Sequence, residues 1–117
     1  MRVSSQKINH TLRGQIGKAF YQLVADINDT TEAETFFKDF LNENECETFI
    51  KRLAIVYWLK KGRSYSNIKD NLKVSSATIA SVQKTIDKEG IQLAVKKMAA
   101  EEWANQWSKK IKKFVNK

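Results

Sequence analysis

The nine residues VSSATIASV at 74–82 set hydroxyls at Ser75, Ser76, Thr78 and Ser81 beside the methyl groups of Ala77 and Ala80. Hydroxyls can contact base edges or phosphates, and methyl groups can meet the thymine methyl, so a slim helix of this composition suits the major groove of B-DNA. Ser76, Ala77, Ala80 and Ser81 are the base-proximal candidates. Lys60, Lys61, Arg63, Lys69, Lys73 and Lys84 flank them and can neutralise phosphates, which would make affinity fall steeply with salt. Ser64, Ser75 and Thr78 complete the phosphate-side set. This is the chemistry of recognition rather than of bond making.

Bond-making chemistry finds few residues to carry it. The single His10, in an N-terminal stretch expected to be mobile, leaves no His pair, and the single Cys46 offers neither a metal cluster nor an intramolecular disulfide. No Ser-His-Asp constellation and no Gly-rich phosphate loop can be singled out. Asp39, Glu43, Glu45 and Glu47 look at first like an acid–base or metal set, but helical spacing scatters them, and a solvated face that complements a helix N-terminus accounts for them. The expectation is a protein that is not an enzyme and holds no metal and no cofactor.

The elements that would position the hydroxyls follow from apolar spacing. Between residues 64 and 85 the aliphatics are Ile68, Leu72, Val74, Ile79 and Val82, with gaps of four, two, five and three. Neither one continuous helix nor a strand gives those gaps. Two short helices with a tight turn do: Ile68 and Leu72 lie one turn apart, Val74 plugs the turn, and Ile79 and Val82 line the inner side of a second helix over 76–88. Ser64 and Ser75 stand where N-caps are needed. The pattern predicts a helix-turn-helix over 64–88.

Upstream, Leu12, Ile16, Phe20, Leu23, Val24 and Ile27 predict a helix over 12–28. Thr31 with Glu34 has the form of a capping box for a second helix carrying Phe36, Phe37, Phe40 and Leu41. Asn42 with Glu45 can cap a third, in which Cys46, Phe49, Ile50, Leu53, Val56, Tyr57 and Leu59 form one broad apolar side and Gly62 is the stop. Residues 91–117 predict a long terminal helix, with Leu93, Ala100, Trp107 and Phe114 seven apart. The chain lacks proline and has four glycines, so the class is all-α with about six helices.

At 117 residues and 42% hydrophobic content, one domain is expected over 1–117, with residues 12–62 as its helical core. The net charge of +8 favours a polyanionic partner, and it is segregated. Residues 26–47 hold eight acids and one lysine, net −7, while residues 48–84 hold eight bases and one acid, net +7. No apolar run approaches a membrane span or the core of a secretory signal, and no disulfide is called for, so the expected location is the cytoplasm.

The stretches RLAIVYWLKKG (52–62), SYSNIKDNL (64–72) and VSSATIASV (74–82), with AFYQLVADI and ETFFKDFL upstream, resemble the tryptophan-repressor superfamily, and within it the smaller YerC/YecD-type relatives. The resemblance covers about residues 16–88. It implies an intertwined homodimer whose first three helices share one core and whose helix-turn-helices enter successive major grooves of double-stranded DNA. The phenylalanines of the first three helices exceed what one small subunit easily covers, which agrees with a twin, although a larger monomer core would also absorb them. Tryptophan-binding members carry an arginine after the ATI-containing turn of the recognition helix, where this chain has Ser81 and then Val82. Arg52 matches the family's other ligand-side arginine, but it can equally pair with Glu45 or Glu47, so a small-molecule corepressor is not expected. Lys73 stands where the family commonly has glycine, and some 27 residues follow Gly90 without a counterpart.

Those last residues combine Trp103, Trp107, Ile111 and Phe114 with Lys109, Lys110, Lys112 and Lys113. An extra helix on the dimer is expected, with nonspecific DNA contact as a secondary role and an anionic membrane surface as a further option. The overall expectation is a sequence-specific transcriptional regulator, a repressor by resemblance. The alternative is a helical module for protein or RNA contacts without specific DNA readout.

Overall fold

The computed structural model describes residues 3–115, with side chains through Glu102. Six helices follow in order: α1 (His10–Asp26), α2 (Thr30–Phe40), α3 (Glu43–Lys60), α4 (Tyr65–Leu72), α5 (Ser76–Gln83) and α6 (Glu89–Val115). No strand occurs among the described residues, so the class is all-α.

Helix ends follow the local hydrogen-bond chemistry, and several differ from the expectation. α1 begins at His10 because the Asn9 side chain accepts from the amides of Thr11 and Leu12 at 2.9 and 3.2 Å; His10 thus opens a helix rather than lying in a mobile stretch. α2 is capped by Asp29 and not by Thr31 with Glu34. The Asp29 carboxylate accepts from Glu32 N at 2.7 Å, and an anion at a helix N-terminus also meets the macrodipole, so the helix starts at Thr30. α3 opens with the expected reciprocal box: Asn42 N donates to Glu45 Oε1 at 3.0 Å, and Glu45 N donates to Asn42 Oδ1 at 2.8 Å.

The chain divides into two compact units after Cys46. In the first, the Phe20 ring centroid lies 6.2 Å from that of Phe40, and Phe36 stacks on Phe40 at 5.1 Å. Cys46 Sγ faces the carbonyls of Phe37 and Leu41. Neither α1 nor α2 has a fully buried residue.

The second unit holds the core: Ile55 and Val56 of α3, Ile68 of α4, and Ile79 and Val82 of α5. Trp58, Leu59, Tyr65, Leu72, Val74, Ile91 and Val95 pack against it. Burying each of the five central aliphatics contributes about 1.5–3 kcal/mol. Of the apolar side expected for α3, Val56 is buried and Cys46, Tyr57 and Leu59 are half-buried within the single chain. Ile55, absent from that set, is among the most buried residues, while Phe49, Ile50 and Leu53 are exposed. Ile55 and Val56 are the α3 residues turned toward α4 and α5, and contact with those helices, not hydropathy alone, selects them.

α3 ends in a Schellman arrangement. Gly62 has φ 81°, its amide donates to Leu59 O at 3.0 Å, and Arg63 N donates to Trp58 O at 3.1 Å. α6 begins at Glu89, two residues before the expected start. Its 27 residues span about 40 Å at 1.5 Å per residue. The side chains of Trp103, Trp107, Lys109, Lys110, Ile111, Lys112, Lys113 and Phe114 lie outside the described residues.

Candidate functional site

α4 and α5 are built as two capped short helices. Ser64 Oγ accepts from Asn67 N at 3.1 Å, and Ser75 Oγ accepts from Thr78 N at 3.1 Å. Both caps sit on extended backbone, which lets the hydroxyl fold back over the first free amides. Between the helices, Lys73 adopts φ 56°, ψ 51°, the left-handed conformation that glycine takes at least cost, while its amide still closes α4 by donating to Lys69 O at 3.0 Å. The hydroxyl of Tyr65, first residue of α4, donates to Gln83 Oε1 at the last residue of α5, tying the outer ends of the pair together.

Ile68 and Ile79 are fully buried and Val82 nearly so, which fixes the rotation of α5 about its axis. Ser76, Ala77 and Ser81 are therefore exposed and Ala80 is half-buried. Thr78 is exposed but its hydroxyl lies 2.9 Å from that of Ser75, inside the cap. The helix expected over 76–88 ends at Gln83. From there the amides of Thr85, Ile86 and Lys88 bond three residues back, to Val82, Gln83 and Thr85, and the Thr85 hydroxyl donates to Val82 O at 2.7 Å. That tighter winding and the competing hydroxyl close α5 and turn the chain into α6.

The cations fall into two groups. Lys60, Lys69, Lys73 and Lys84 are exposed and carry no carboxylate partner among the described residues. Lys61 and Arg63 are engaged. Lys61 Nζ lies 2.9 Å from Glu102 Oε2 and 5.3 Å from the Tyr57 ring centroid, and the Arg63 guanidinium sits 4.1 Å over Trp58 and donates to Asn67 Oδ1 at 3.3 Å. Trp58, Gln83 and Glu102 carry no local sequence signal for these roles, since each meets its partner through the fold.

Arg52 is exposed and lines a cavity of about 420 Å³ together with Thr48, Lys51, Ile55, Val74, Ala77, Thr78, Ser81 and Val82. Neither acid offered for Arg52 pairs with it. Glu45 caps α3, and Glu47 lies 3.8 Å from Lys51. Ala77 and Ser81 thus stand at the rim of this cavity as well as on the exposed side of α5. No group of His, Cys, Asp and Glu that could hold a metal ion occurs among the described residues. No helix among them is long and apolar enough to cross a membrane.

Fold and site together define an all-α protein organised around a pair of short helices meeting at a left-handed turn. The chain belongs to the Trp repressor family, whose model, described as Trp repressor protein, matches residues 16–99. It is 28% identical over 76 residues to the uncharacterised protein YerC of Bacillus subtilis (strain 168), a match covering 65% of this chain and 73% of that one. It is also similar to a solved structure, that of a TrpR-like protein from Eubacterium eligens ATCC 27750, with a TM-score of 0.70 at 25% identity over 78% of this chain and 96% of the other. The family is one of regulators that usually bind DNA, not of enzymes.

Proposed function

We infer that the protein is a sequence-specific, DNA-binding transcriptional regulator that acts as a homodimer and represses the genes whose sites it occupies. The observation that carries this reading is the rotation of α5. With Ile79 and Val82 turned into the core, Ser76, Ala77 and Ser81 face solvent on a helix of small residues, free to approach base edges in the major groove. Lys60 at the end of α3, Lys69 on α4, Lys73 in the turn and Lys84 at the end of α5 are exposed and supply phosphate contacts, with Ser64 and Ser75 at the helix starts.

A second copy accounts for the apolar surface that one chain leaves uncovered. Leu12, Ile16, Phe20 and Leu23 share one stripe of α1 and are all exposed, as are Phe40, Phe49, Ile50 and Leu53. A single small domain does not keep so much apolar area in water without a partner. Twofold symmetry then presents two copies of α5 to half-sites one helical turn apart, about 34–36 Å.

Tryptophan is not the effector on this reading. Arg52 lines the cavity beside α5, but Ser81 stands where tryptophan-binding members carry a second arginine, so a ligand carboxylate would be held from one side only.

Selection from a random duplex pool at near-physiological salt tests the proposal. A recovered half-site repeated about one helical turn apart supports it. Recovery of nothing beyond bulk DNA refutes it and leaves a helical module for protein or RNA contacts. Added tryptophan is expected to leave the selected affinity unchanged.

A further inference from the structure

Among the described residues, Lys61 is the one member of the phosphate-side cations that carries a carboxylate, that of Glu102 at 2.9 Å. Glu102 lies on α6 three residues past Ala99, where the family match ends, so the contact is made from a part of the chain outside that match. Lys61 sits at the end of α3, just before the left-handed Gly62 that leads into α4. The two side chains are 46% and 39% exposed, so the pair is weak and its carboxylate can be exchanged for another anion.

We propose that Glu102 is an affinity-setting residue that occupies Lys61 in the DNA-free protein and competes there with a DNA phosphate. The inference rests on the DNA-binding reading above. Its physical basis is ion release. A free lysine that meets a phosphate displaces a condensed counterion, and each such contact steepens the fall of log K with log salt by about 0.9. While Glu102 holds Lys61, that lysine makes no phosphate contact and displaces no counterion from the DNA. The net release from this contact is therefore close to zero. Removing the carboxylate restores it.

The test compares duplex binding by the full-length protein across a salt series for wild type, Glu102→Gln, Glu101→Gln, Lys61→Gln and the double variant Lys61→Gln/Glu102→Gln, each confirmed folded by thermal unfolding. Glu101 is the exposed neighbour with the same charge and no ion pair among the described residues, so it controls for net charge. Glu102→Gln is expected to steepen the slope by about 0.9 and to tighten binding by up to about eightfold at 0.1 M salt. Glu101→Gln should leave the slope in place, and the double variant should return to the wild-type slope. Equal effects of the two glutamate substitutions, or persistence of the Glu102→Gln effect without Lys61, overturns the proposal while leaving the DNA-binding reading intact. A wild-type protein with no salt-dependent duplex affinity overturns both.

Discussion

Replacing Lys73 by glycine is expected to stabilise the protein while weakening its grip on DNA. Lys73 is the one non-glycine residue with positive φ among those described, at φ 56°, ψ 51°. Holding an L-residue there costs about 1–2 kcal/mol, because Cβ crowds the following carbonyl. Glycine removes that cost but gives back about 0.5–1 kcal/mol through its greater freedom in the unfolded chain. The side chain is exposed and the amide bond to Lys69 O is made by the backbone, so no packing or hydrogen bond is lost. The net gain is centred on about 0.75 kcal/mol within a span of about 0–1.5 kcal/mol, or roughly 3 °C in Tm at the centre for a chain of this size. Far-UV circular dichroism melts at matched protein concentration measure it. Lys73→Val must move the other way, since a branched Cβ is worse still in this conformation. A Tm that is unchanged or lower for Lys73→Gly, with Lys73→Val indistinguishable from wild type, would refute the left-handed turn. In a salt series the glycine variant should also lose about 0.9 from the DNA-binding slope, the share of one phosphate contact. Stability and affinity therefore shift in opposite directions at one residue.

Three further outcomes are expected. Ser75→Ala should cost about 1 kcal/mol in urea unfolding because it removes the N-cap of α5, whereas Ser76→Ala, one residue on and exposed, should stay within about 0.5 kcal/mol. Ile79→Ala should cost about 2–5 kcal/mol and Ile79→Val about 0.5–1.5 kcal/mol, since the residue is fully buried among α3, α4 and α5; near-neutral values for both would mean that the core is not packed as described. Glu at both Leu12 and Ile16 should convert a dimer to monomer in sedimentation equilibrium and abolish half-site pairing on DNA, and a variant of unchanged mass would remove the second copy from the proposal.

The turn between α4 and α5 was legible in the sequence because its determinants are short-range. A one-turn spacing from Ile68 to Leu72, a two-residue step to Val74 and serines at 64 and 75 each express local geometry that a few neighbouring residues enforce. The box of Asn42 and Glu45 and the stop at Gly62 were readable for the same reason. Thr31 with Glu34 fits the box pattern and yet does not cap α2, because the extended backbone at Asp29 brings that carboxylate onto Glu32 N and starts the helix at Thr30. The end of α5 escaped prediction because three-residue bonding after Gln83 and the Thr85 hydroxyl leave no apolar signature.

The sequence by itself determined an all-helical chain, the two-helix unit and the rotation that turns Ile79 and Val82 inward, since helical period and capping are written in adjacent residues. Tertiary structure alone decided that Ile55 and not Phe49 or Leu53 enters the core, that Arg63 stacks on Trp58, and that Lys61 meets Glu102. Periodicity reports that a residue has an apolar face to hide or a charge to place; which neighbour meets it depends on helices brought together through the fold, and no local spacing encodes that meeting.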